Sequence, residues 1–291
     1  MAGRFSRSWQ IFKSSASVLN ENKKLLIFPL LSSVAALIVV ASFGATYLLL
    51  GHDAEATLSN ETSAIELLYL FAMYLVLYSI TIFFNSALVA VAAKYMDGGE
   101  PTVGDGFNVA FSKIGIIFGY AAIAATVGVL LRTMEQRLGF IGQIVVRLLG
   151  VVWTAATFLV VPLLVRRDIG PVDAVKESAA LLKETWGENV IANAGMAVVF
   201  ALFYIPLGLV IGVSVIVVLF GMDASANSPD RWVAAYVLAA AVLLFVLLAI
   251  IHAALQGIYG AALYRYATNA GDDSGTSEFE NNLLADAFAP K

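Results

Sequence analysis

The chain has 291 residues, 60% hydrophobic and only 13% charged, with a net charge of -4 and no cysteine. Soluble domains are nearer half apolar and a quarter charged, so a water-facing surface could not be built from this composition. Disulfides, thiolate metal sites and cysteine nucleophiles are excluded, the two histidines are too few for a histidine metal cluster, and no basic excess points to nucleic acid.

Residues 4–24 mix Arg4, Arg7, Lys13, Lys23 and Lys24 with spaced apolar side chains, which is not the pattern of a cleaved signal. Trp9, Phe12, Ala16 and Leu19 recur at spacings of three and four, while Lys13 and Asn20 fall off that stripe. This predicts an amphipathic helix over 5–20, lying in a membrane interface.

Crossing the hydrocarbon takes about 20 mainly apolar residues. Six stretches qualify, near 25–50, 65–93, 114–131, 144–165, 190–220 and 232–264. The fold class is therefore all-α, a polytopic membrane bundle of about six transmembrane helices. The transmembrane domain is expected over 1–270. Lys and Arg concentrate in the N-terminal segment, the loops near 94–113 and 166–189, and the C-terminal tail. The positive-inside rule then puts both termini in the cytoplasm. Residues 51–64 carry Asp53, Glu55 and Glu61 without a base, which suits an outside loop.

A second amphipathic helix is predicted over 171–187, after Gly170 and with Pro171 in its first turn. Its stripe is Val172, Val175, Ala179, Leu182 and Trp186, flanked by Lys176 and Lys183. Phe107, Phe111 and Ile114 give a shorter version before the third span. The chain thus divides into three helix hairpins, each preceded by an interfacial helix. Trp9, Phe12, Lys13, Lys23, Lys24, Lys183 and Trp186 are the candidate lipid-interface residues, because aromatics and cations together suit a headgroup layer. The same residues could equally collar the bundle and set its depth. Residues 271–291 form a cytoplasmic tail, where Ser277 and Glu280 make a capping-box pattern ahead of Phe279, Leu283, Leu284 and Phe288.

Polar groups inside a bilayer are few and each is a functional suspect. Asn85 on the second span, Asn193 on the fifth, and His252 with Gln256 on the sixth form the candidate intramembrane cluster; interhelical hydrogen bonding explains them as well as a binding site does. Pro206 with Gly208 is the candidate hinge, while Pro29 and Pro162 stand near the cytoplasmic span ends. No nucleotide loop, metalloprotease or hydrolase motif occurs, and no Asp or Glu lies mid-span. A non-catalytic protein without cofactor or metal is expected, structural or organising lipid or a partner in the bacterial inner membrane, its partners being membrane lipids, with room for a homo-oligomer or a membrane-protein partner. A passive pore or transporter is the alternative.

Several segments carry a resemblance. They are Arg7-Ser8-Trp9 with Phe12, Leu26-Ile27-Phe28-Pro29-Leu30, Val161-Pro162-Leu163-Leu164, Gly170-Pro171-Val172-Asp173-Ala174-Val175-Lys176-Glu177-Ser178, and Ala262-Leu263-Tyr264-Arg265-Tyr266-Ala267. Together they resemble a bacterial family of six-span membrane proteins akin to the membrane domain of some glycerophosphoryl diester phosphodiesterases. That resemblance implies fold and inner-membrane location; the phosphodiesterase catalytic domain has no counterpart here.

Overall fold

The computed structural model describes residues 15–49, 64–184, 186–220 and 229–269. All its regular structure among these residues is helical. A helical turn over residues 15–21 and a 3-10 turn at Lys23–Leu26 lead into α1 (Ile27–Leu49). There follow α2 (Ala64–Met96), α3 (Val103–Ser112), α4 (Ile114–Arg137), α5 (Phe140–Ala156), α6 (Val160–Arg166), α7 (Pro171–Glu184), α8 (Trp186–Phe220) and α9 (Pro229–Asn269). Six segments are long and apolar enough to span a membrane: Lys23–Leu49, Ala64–Met96, Ile114–Arg137, Phe140–Arg166, Val199–Leu219 and Trp232–Arg265. This is a polytopic helical membrane protein.

The third span continues six residues past the expected limit of 131. Arg132, Glu135 and Arg137 prolong α4 because long side chains at a span end reach the polar layer, and Arg147 on α5 bonds Glu135 at 2.8 Å. The interfacial helix expected over 5–20 is described only from residue 15, and it is helical there; Trp9, Phe12 and Lys13 lie outside the described residues, as does the tail 271–291.

The helices group into two compact units. Among the described residues the larger holds 18–49, 64–184, 186 and 257–269. Among the described residues the smaller holds 15–17, 187–220 and 229–256.

In the larger unit α2 is the central element, packed by α1, α3, α4 and α6. The contact with α3 is close because Gly106 sits over Ala87 and Val91; Gly106 and Ala110 are buried. Beside them Phe107 and Phe111 join Phe28, Phe83 and Phe84 in an aromatic cluster, with neighbouring centroids 4.9 to 6.4 Å apart. α2 ends where Gly98 takes φ 80, a left-handed conformation that lets Gly99 N–H reach back to the Lys94 carbonyl. α3 then starts on a capping box, in which Asp105 N–H donates to the Thr102 hydroxyl and Thr102 N–H to the Asp105 carboxylate. A helix is thus formed where Phe107 and Phe111 predicted one.

The fourth span is interrupted at residues 157–159. Pro162 is the cause: it has no N–H for the Phe158 carbonyl, and its ring crowds that carbonyl. Val160 N–H instead bonds Thr157 O at 3.1 Å, a tighter i−3 link. Leu159 N–H leaves its own helix and donates to the Ser178 hydroxyl on α7 at 3.1 Å. Both residues are 0% exposed. The buried face of α7 is therefore Ala174, Ser178 and Leu182, while Val172 is exposed; the helix is turned relative to the expected stripe through Val172, Val175 and Ala179. Small side chains at 174 and 178 let α7 approach α6, where van der Waals contact and the Leu159 hydrogen bond outweigh the larger side chain of Val172.

In the smaller unit α8 passes through Pro206 without interruption. Beside Gly208 and Gly212 a Cβ would meet nothing within 4 Å.

Candidate functional site

Span hydroxyls largely satisfy themselves. Ser42, Thr46, Ser79, Thr81, Thr126, Thr133 and Thr154 each donate to the carbonyl four residues earlier, at 2.7 to 2.9 Å. Such back-bonding lets a hydroxyl sit in hydrocarbon without a partner helix. Ser86 is different, since it is 1% exposed and its hydroxyl has no hydrogen-bond partner among the described residues.

The four residues of the expected intramembrane cluster have separate surroundings. Asn85, half-buried on α2, packs on Gly257, where a Cβ would lie 2.9 Å from Asn85 Oδ1 and 2.5 Å from Leu88 Cδ2. His252 belongs to the smaller unit. Its ring stacks on Phe200 at 4.0 Å and 17°, and Nδ1 lies 3.3 Å from the Tyr204 hydroxyl, with Phe245 against Tyr204 at 5.1 Å. Gln256, one turn on, is exposed. Asn193 lies on α8, but its side chain is not among those described, and the same holds for Trp186.

The densest arrangement of charge lies at one end of the larger unit. Asp97, just past α2, accepts from Arg166 at 2.6 Å and lies 3.9 Å from Arg265, which also donates to the Met96 carbonyl. Arg167 pairs with Glu177 on α7 and donates to the Tyr264 hydroxyl at 3.3 Å. Lys113, at the α3–α4 joint, bonds Asp168 at 2.9 Å and the Arg167 carbonyl at 3.3 Å. Lys94 bonds Asp105 at 2.9 Å. Tyr95 donates to Glu21, which ties residues 18–21 to the same end. The Lys94 ammonium, then the Thr102 N–H and hydroxyl, hold the Asp105 carboxyl down to about 2. Lys113 likewise lowers Asp168.

Sequence reasoning counted these bases for topology and missed that they cross-link the loops. The signal was present, because Asp97, Asp105, Asp168 and Glu177 are interleaved with them. Around this layer Phe111, Ile114 and Val172 are exposed apolar groups on or beside the short helices, and Lys23, Lys24 and Lys183 are exposed cations.

No curated protein and no solved structure matches the chain. Residues 64–275, which take in every element from α2 to α9, match the model of a family of unknown function, DUF6159, and the chain belongs to that family.

Proposed function

We propose that this is a non-catalytic protein of the bacterial inner membrane that organises lipid, or a membrane-protein partner, at its cytoplasmic surface, with both termini on that side. One observation carries the proposal. The short helices α3 and α7 join a layer of ion pairs, yet keep Phe111 and Val172 exposed beside it. Apolar side chains next to exposed charge at the ends of spans suit a headgroup boundary and not bulk water or hydrocarbon alone. The resemblance of the segments quoted above to the membrane domain of glycerophosphoryl diester phosphodiesterases fits the same role without adding catalysis.

The test is lipid retention. Phe111→Ser with Val172→Ser should reduce the phospholipid that co-purifies with the detergent-solubilised protein. Unchanged retention with unchanged thermal stability would remove the basis of the proposal. A pore or transporter is the second reading, favoured by the broken fourth span, since discontinuous helices line transporter binding sites. The self-bonded span hydroxyls weigh against it, and solute flux through reconstituted vesicles tests it.

A further inference from the structure

α7 joins two environments that differ sharply in polarity. Exposed ion pairs lie just before it and at its middle: the Asp168 side chain, 92% exposed, holds Lys113, and half-exposed Arg167 holds Glu177. Exposed pairs of this kind contribute about 0–1 kcal/mol each and weaken with salt. One residue beyond Glu177, Ser178 is wholly buried and receives the Leu159 amide. That amide has no place in a regular helix, because the span is broken there, and a buried N–H without an acceptor is costly. The packing of α7 therefore satisfies the amide that the Pro162 break leaves free, and holds the break in one shape. Pro171 strengthens the link, since a Cβ on Gly119 of α4 would lie 3.2 Å from its ring, so the start of α7 has little room to shift toward α4.

We propose that α7 is a lever: loosening the ion pairs of Arg167 and Asp168 that hold it withdraws Ser178 from Leu159 and frees the fourth span to bend at residues 157–159. The fulcrum is Pro171 against Gly119, and the preceding connection 167–170 carries the Arg167 and Asp168 contacts that hold the helix in place. A change in charge at the membrane surface is thereby felt inside the span. This goes beyond the lipid-organising role and does not require it, because the Ser178 contact stands whatever meets the surface end.

The experiment is amide hydrogen exchange on the full chain in nanodiscs of zwitterionic lipid. Glu177→Gln keeps the buried packing intact but halves the ion pair. It should raise exchange across α7 and, in parallel and by up to about five-fold, in the peptide covering 157–161, leaving α1 and α2 unchanged. Ser178→Ala should raise the 157–161 exchange on its own. If Glu177→Gln loosens α7 while 157–161 stays protected, or if neither peptide responds to it, the lever is wrong. A further arm separates it from the lipid proposal. Nanodiscs containing anionic phosphatidylglycerol are compared with zwitterionic nanodiscs in added inorganic phosphate. A response of 157–161 to the anionic lipid alone supports the lever and makes the headgroup its effector. A response to both supports the lever and makes any phosphate the effector. Loosening of α7 by either without a response at 157–161 overturns the lever and leaves the lipid proposal standing.

Discussion

Gly106 on α3 and Ala87 on α2 approach so closely that no side chain fits between them. A Cβ on Gly106 would lie 2.6 Å from the Ala87 carbonyl oxygen, and 2.8 Å from both Phe28 Cζ and Val91 Cγ2. The nearest of these is backbone in the middle of a span, which cannot turn aside. Gly106→Ala should therefore destabilise the protein by about 1–3 kcal/mol, the usual scale of overpacking. Thermal unfolding in detergent measures it, and a stability equal to the parent would mean that α3 is loosely held.

Gly257 offers a graded comparison. Its close neighbours are the Leu88 Cδ2 methyl at 2.5 Å and Asn85 Oδ1 at 2.9 Å, both ends of side chains that can rotate. Gly257→Ala is expected to cost less than Gly106→Ala. Gly208→Ala, with open space around it, should be neutral or stabilising by up to about 1 kcal/mol through helix propensity. The order Gly106, Gly257, Gly208 in the same thermal assay is the prediction; any inversion contradicts the packing described.

The capping box of α3 makes its start sensitive to acid. Asp105 has its carboxyl lowered from 3.8 to about 2 by Lys94 and Thr102. A lowered carboxyl stabilises the fold above the unfolded value and loses that contribution as pH falls through the folded one. The stabilisation should be complete above about pH 4 and disappear toward pH 2. Asp105→Asn should flatten stability against pH across that window, as followed by intrinsic fluorescence or circular dichroism.

In the smaller unit, Tyr204→Phe removes the one hydroxyl described at His252 Nδ1 while keeping the ring that packs on Phe200 and Phe245. Hydrogen bonds between membrane helices average about 0.6 kcal/mol, so a loss of that size is expected. A loss above about 2 kcal/mol in denaturant titration would show that the histidine site depends on more than this bond.

Orientation is tested by labelling, which the absence of cysteine makes clean. In whole cells Thr57→Cys should react with an impermeant maleimide, while Lys176→Cys should react only after permeabilisation. The reverse pattern would invert the proposed topology.

The sequence alone determined that the chain spans a membrane, and roughly where. Runs such as 232–264 are legible because lipid demands about 20 apolar residues and a helix satisfies its own backbone. It also marked α7 through Gly170 and Pro171, whereas the capping box of Thr102 and Asp105 that starts α3 came only from the structure. What only the tertiary structure decided is which polar groups meet. Asn85, His252 and Gln256 look alike as lone polar residues in apolar runs, yet they end on Gly257, on Phe200 with Tyr204, and exposed. Hydropathy reports only the depth of a residue in the bilayer, while its direction around the helix depends on neighbours distant in sequence. For the same reason Pro162 could be seen as a helix breaker, but not that Ser178, sixteen residues later, supplies the acceptor that the break requires.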